Sequence, residues 1–116
     1  MNYKLAHIGI NCENEGEATS AALRLEKLFG WEVKEKAFSV YSDSAVECMK
    51  APGLGKNGHI GIGVSCISDA VDELKNRGVA FRQGSEKYHP DGTLRLIYLE
   101  DEICGFALHL VEDQKK

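Results

Sequence analysis

A short phrase occurs twice in this chain, and it constrains the fold more than any other feature. Ala6-His7-Ile8-Gly9-Ile10 near the start returns as Gly58-His59-Ile60-Gly61-Ile62 in the middle. Internal repetition of this kind points to two copies of one supersecondary unit. Each copy runs through a cysteine, Cys12 or Cys66, into an acidic or polar helix start. The first helix is predicted to open at Asn14-Glu15-Gly16-Glu17, an N-cap side chain with a carboxylate three residues on. Ala18, Ala21, Ala22, Leu25, Leu28 and Phe29 then recur at helical spacing, and Gly30 supplies the stop. The second helix opens at Ser68-Asp69, carries Ala70, Val71 and Leu74 on one side, and stops at Gly78.

A strand follows each helix directly, at Trp31-Glu32-Val33 and at Val79-Ala80-Phe81. Two more follow in each half: about 38–41 and 45–50 in the first, about 93–100 and 105–112 in the second. Ser42-Asp43-Ser44 turns the first pair, and Tyr88-His89-Pro90-Asp91-Gly92 precedes the second. The order is β-α-β-β-β, twice, joined by the breaker-rich stretch Ala51-Pro52-Gly53-Leu54-Gly55-Lys56-Asn57-Gly58. The expected organisation is one domain over residues 1–116, with module one at about 3–52 and module two at about 57–112. Half of such a chain, with a single helix, buries too little core to stand alone, so each half must pack on another, in the same chain or a second one.

Fourteen basic and 18 acidic side chains leave a formal charge of −4, with no basic excess for a nucleic-acid partner. No apolar run approaches the roughly 18 residues of a membrane span. Tyr3 and Lys4 lead straight into alternating residues without an apolar leader core, which predicts a cytoplasmic location. Cys12, Cys48, Cys66 and Cys104 form no C-x-x-C pair and read as reduced, small, half-buried strand residues.

Strand alternation decides which side chains share a face. Leu5, His7 and Gly9 oppose Ala6, Ile8 and Ile10; His59, Gly61 and Gly63 oppose Ile60, Ile62 and Val64. Ala45, Glu47 and Met49 oppose Val46 and Cys48, and Ala107, His109 and Val111 oppose Phe106, Leu108 and Leu110. The apolar faces are expected to pack on the helices. The other face then carries one titratable residue per strand, namely His7, Glu47, His59 and His109. Imidazole and carboxylate are what borderline divalent metals bind. A single strand histidine is more often a hydrogen-bonded structural residue, and spacing alone leaves both roles open for these four. Arg95 and Tyr98 fall on opposite faces of one strand, so at most one reaches such a site, with surface ion pairing expected of Arg95. His89 reads as an exposed loop residue.

These elements resemble the vicinal oxygen chelate superfamily, which includes glyoxalase I, bleomycin-resistance proteins and extradiol dioxygenases. The resemblance runs from about Lys4 to Glu112. Asn57-Gly58-His59-Ile60-Gly61-Ile62-Gly63-Val64 resembles the strand that opens the second module, and Ala45-Val46-Glu47 the strand that closes the first. Leu99-Glu100-Asp101 followed by Gly105-Phe106-Ala107-Leu108-His109-Leu110 resembles the closing element. The resemblance implies an α+β fold of two βαβββ modules forming an open, mostly antiparallel barrel, commonly completed by a homodimer. It also implies one divalent metal (nickel, zinc, cobalt or iron) held by His7, Glu47, His59 and His109. The chain departs from the pattern at His109, where a glutamate is usual, and in the turn Asp101-Glu102-Ile103-Cys104-Gly105, which lacks the usual proline.

The implied activity is that of a glyoxalase-like isomerase or lyase, moving a proton beside the metal-chelated 2-oxo group of a small substrate. Glu47 is the expected base, with His109, at the position that usually supplies the base in glyoxalase I, expected to act as a ligand. The alternatives are a binding module of the bleomycin-resistance kind, an accessory domain, or an extradiol dioxygenase. A further resemblance, to a module associated with 2-dehydro-3-deoxyphosphogluconate aldolases, implies a functional link to a 2-keto-3-deoxy sugar acid aldolase.

Overall fold

A computed structural model describes residues 1–113. Ten elements follow in order: β1 (Lys4–Asn11), α1 (Glu15–Phe29), β2 (Val33–Glu35), β3 (Ser39–Ser42), β4 (Val46–Met49), β5 (Gly58–Val64), α2 (Ile67–Asn76), β6 (Lys87–Tyr88), β7 (Leu94–Ile103) and β8 (Phe106–Glu112). The eight strands form one open sheet in the order β2-β3-β4-β1-β5-β8-β7-β6. β1 runs parallel to β4, and β5 parallel to β8; every other neighbouring pair is antiparallel. The β1–β5 pair at the centre carries the two copies of the repeated phrase side by side, in opposite directions. The sheet does not close, and β2 and β6 are its edges.

Local chemistry sets the helix ends. The Asn14 side chain accepts from the Glu17 N–H at 2.9 Å, and the Glu17 carboxylate accepts from the Glu13 N–H at 2.9 Å. Gly30 ends α1 in the left-handed conformation, φ 74°, and donates to the Glu26 carbonyl. α2 begins one residue earlier than its Ser68-Asp69 signal, with Cys66 at the N-cap and no side-chain cap. The β7–β8 hairpin turns at Cys104 and Gly105, both at positive φ (52° and 82°), so β7 extends to Ile103 through most of the expected loop. Two successive positive-φ residues are what a tight two-residue hairpin with the right twist requires.

The second half departs from the first after its helix. Val79-Ala80-Phe81 is not a strand: Phe81 makes an isolated bridge to Leu99, and the two-residue β6 lies further on. Backbone bonds from Arg82 N–H to the Tyr98 carbonyl and from Glu100 N–H to the Ala80 carbonyl still dock this segment on β7. Breaks in β6–β7 and β7–β8 register prevent a continuous ladder there.

Two small cores result. Ala18 and Ala22 of α1 pack with Cys12, Val40 and Cys48, and Ile67, Ala70 and Val71 of α2 pack with Val64, Ile97 and Leu110. Each helix therefore covers its own flank. The apolar face of β1 is not covered as the alternation suggested: Ile8 and Ile10 remain 36% and 40% exposed, in the gap between the two cores. Among the described residues no helix is long and apolar enough to cross a membrane.

Candidate metal centre

Register brings the four sequence-identified positions onto the helix-free face at the middle of the sheet. Gly9 pairs with both Glu47 on β4 and His59 on β5, while Gly61 pairs with both His7 on β1 and His109 on β8. The two rows are related by the repeat, and they continue outward to Tyr41, which pairs with Glu47, and Tyr98, which pairs with His109. One row reads Tyr41, Glu47, Gly9, His59; the other reads Tyr98, His109, Gly61, His7. The glycines are required by this packing. A Cβ at Gly9 would collide with the His59 imidazole, and a Cβ at Gly61 with that of His7. Each copy of the phrase thus supplies a ring and the gap into which the other copy's ring fits.

The polar atoms converge. His59 Nε2 lies 3.0 Å from Glu47 Oε1, His7 Nε2 lies 3.5 Å from the same oxygen, and the two Nε2 atoms are 3.2 Å apart. His7, His59 and His109 each offer a ring nitrogen, all within 4.8 Å of one another. The three ring centroids are 5.1–5.2 Å apart. Glu47 touches two members of this triad. Its other oxygen, Oε2, accepts from the Ser39 hydroxyl at 2.8 Å.

Burial alone would raise the Glu47 carboxyl, but hydrogen bonds from His59 and Ser39 and the neighbouring imidazoles outweigh it and bring it down to about 2. Burial pushes His109 down to about 3, and it lowers His7 as well despite the opposing Glu47 charge. His109 is 2% exposed, and its Nδ1 lies 3.3 Å from the Leu110 carbonyl. A neutral imidazole whose Nδ1–H is so engaged keeps its Nε2 lone pair free. Burial and the Glu47 charge both raise the Tyr41 and Tyr98 phenols, so their hydroxyls stay protonated.

This donor set fits a divalent ion. Adjacent ligands on an octahedral ion with bonds of about 2.1 Å lie about 3 Å apart, and the contacts among Glu47, His7 and His59 have that spacing. Buried lone pairs aimed at one another need a shared proton or a cation.

Sequence reasoning did not single out Ser39 and Tyr41, and it left Tyr98 undecided against Arg95. The structure places the Tyr98 ring 5.0 Å from that of His109 and the Tyr41 ring 6.1 Å from that of His7, while Arg95 is exposed. Ser39 and Tyr41 were readable in principle, because alternation puts them on the Glu47 side once the hairpin register is known. His89 pairs with Glu112 at 2.9 Å, away from the triad.

At the level of sequence, the chain matches no protein-family model and no curated protein. Solved structures do match. A hypothetical protein from Bacillus halodurans C-125 superposes with a TM-score of 0.67 at 18% identity, over 100% of this chain and 98% of that one. A methylmalonyl-CoA epimerase from Mycobacterium tuberculosis gives 0.67 at 14% identity, over 96% of this chain and 88% of that one. A Streptomyces coelicolor methylmalonyl-CoA epimerase variant in complex with 2-nitronate-propionyl-CoA gives 0.66 at 16% identity, over 97% and 98%. These likenesses establish the fold, which this chain shares with the methylmalonyl-CoA epimerases.

Proposed function

We propose that this chain is a metal-dependent enzyme that moves a proton beside the 2-oxo group of a small acid. The observation that carries the reading is the meeting of His7, His59 and His109 with Glu47 on a sheet face that neither helix covers. The three histidines and Glu47 would hold one nickel, zinc, cobalt or iron ion. Such an ion would supply Lewis acidity, drawing electron density from a chelated carbonyl and offsetting the negative charge that develops beside it.

The chain's own residues account for the rest. Glu47 is ionised across the neutral range; on leaving its ligand position, its Oε1 would take a proton from the carbon next to the carbonyl and return it at the neighbouring carbon or the opposite face. Ser39 holds Oε2 and fixes the carboxylate's orientation. His109, neutral and buried, serves as a ligand, its ring steadied by Leu110. The Tyr41 and Tyr98 hydroxyls, held protonated, are donors for substrate oxygens at either side. A single carboxylate among four ligands leaves a divalent site with net charge +1, which favours an anionic chelator over a neutral oxoaldehyde. The methylmalonyl-CoA epimerases that share this fold are isomerases by name, which agrees with a reaction of this class.

The domain is read as one unit with modules at about 3–52 and 57–112. It is proposed to form a homodimer through the uncovered face that includes Ile8 and Ile10. An aldolase acting on 2-keto-3-deoxy sugar acids remains the proposed functional neighbour, on the strength of the sequence resemblance. The test is solvent-deuterium exchange into 2-oxo acids by metal-loaded protein, with metal content measured in parallel. Exchange that disappears in Glu47→Gln while metal is retained supports the reading. Absence of exchange from every 2-oxo acid offered to fully loaded protein overturns it.

A further inference from the structure

The row that carries Glu47 does not end at Tyr41. Lys34 on β2 pairs with Tyr41 across the β2–β3 ladder, and Lys36, two residues on, has its Nζ 5.7 Å above the centre of the Tyr41 ring. Both lysines alternate away from Val33, which packs into the α1 core, and so stand on the same side of the sheet as the histidines. The cleft there has a volume of about 550 Å³, and its walls include His7, Tyr41, Lys34 and Lys36. Its size suits a small metabolite.

The charges around it are unevenly committed. Lys4 and Asp113 pair at 3.4 Å, and Glu112 pairs with His89. Asp43 is the remaining carboxylate of the wall. Lys34 and Lys36 form no ion pair among the described residues, although the protein carries a net charge of −4. In the other half, Arg82 occupies the equivalent place beside Tyr98, and Glu102 already pairs with it at 3.4 Å. The two ends of the site therefore differ: one cation is neutralised within the chain, and two are free to meet a ligand.

We infer that Lys34 and Lys36 form an anion subsite at the Tyr41 end of the cleft, so that the substrate is a 2-oxo acid bearing a second anionic group, a carboxylate or a phosphate, beyond its chelating end. This rests on the proposed metal centre for the chelating end, and the subsite adds the distal recognition. Two ammonium groups on flexible stems suit a compact, multiply charged oxyanion, and the Tyr41 ring lies beneath one of them.

Three 2-hydroxy acids with the same chelating end separate the cases: glycerate, malate and 3-phosphoglycerate. Their affinities for the metal-loaded protein are measured by calorimetry at low and high salt. The expected result is at least tenfold tighter binding of malate or 3-phosphoglycerate than of glycerate at low salt. That advantage should be lost in Lys34→Gln/Lys36→Gln, with glycerate affinity and metal content unchanged; whichever acid gains more identifies carboxylate or phosphate as the distal group. Equal affinities for all three acids, or an advantage that survives the double substitution, overturns the subsite while leaving the metal centre standing. Should glycerate fail to bind, titration of inorganic phosphate into metal-free protein, followed by NMR of the lysine side chains, gives an independent reading. Saturable shifts of Lys34 and Lys36 support the subsite, and their absence overturns it.

Discussion

The His59 imidazole occupies the volume that a side chain at Gly9 would need. The two residues come from different copies of the repeat, yet they are partners in the β1–β5 register. The face that carries the histidine cluster is thus assembled by one copy's glycine yielding to the other's histidine, and the same exchange occurs between Gly61 and His7.

Gly9→Ala should therefore act as a site mutation made in the backbone of a strand. The added methyl must displace the His59 ring, with an expected cost of about 1–3 kcal/mol in stability and a loss of tenfold or more in metal affinity. Gly61→Ala should behave alike. Gly53→Ala, where a Cβ meets nothing within 4 Å, is the control and should leave both unchanged. Thermal denaturation and metal titration of the three variants check this.

The metal-free protein should lose stability on mild acidification. Burial holds His109 near 3, whereas an unfolded imidazole titrates near 6.5, so the unfolded chain binds more protons throughout that interval. Stability must then fall as pH falls through it, by about 2 kcal/mol between pH 7 and pH 5 from His109 alone. His7, lowered for the same reason, adds in the same direction. Urea denaturation at a series of pH values should show this slope, and His109→Gln should reduce it. A flat profile would contradict the burial of neutral rings.

Ser39→Ala removes the hydroxyl that donates to Glu47 Oε2. Loss of this charge-assisted bond should cost about 1–2 kcal/mol and raise the Glu47 carboxyl from its low value. The carboxylate signal of Glu47, followed by NMR against pH, should shift upward while the fold is kept.

Substitutions at Glu47 and His109, the two proposed ligands that differ between the copies, distinguish base from ligand. Glu47→Gln should abolish exchange beside the carbonyl with metal retained by the three histidines. His109→Glu should retain metal. Intact exchange in Glu47→Gln, combined with its loss in metal-bound His109→Gln, would reverse the roles. Tyr41→Phe and Tyr98→Phe should slow exchange about tenfold without changing metal content, since a phenyl ring keeps the packing and loses only the donor.

Ile10→Glu tests the uncovered face. The native protein should sediment as two chains at micromolar concentration and the variant as one, since a carboxylate desolvated in a two-fold interface meets its own copy. A native species of 12.8 kDa would remove the dimer.

Much of this arrangement is visible in the sequence because it depends on local periodicity. A repeated strand-helix phrase, capped by Asn14 and stopped by Gly30, defines the βαβββ order in the first half, and period-two alternation puts His7, Glu47, His59 and His109 on one kind of face. Both are properties of consecutive residues. Neighbouring strands are another matter, since their pairing is decided by hydrogen bonds between segments far apart in the chain. Only the folded register brings Tyr41, Ser39 and Lys34 to Glu47 and Tyr98 to His109, and only there do the glycines of the repeat meet the rings they accommodate. The same holds after α2, where the pattern predicts a strand at Val79-Ala80-Phe81: pairing with β7 is there limited to the Phe81–Leu99 bridge, and the register shifts along β7 leave no mark in the local pattern. Helix placement is likewise tertiary. α1 and α2 each pack over an outer flank of the sheet, so Ile8 and Ile10, apolar by pattern, are left at the surface between them. Amphipathic pattern specifies which face a strand would bury, but whether anything covers that face depends on where the helices dock.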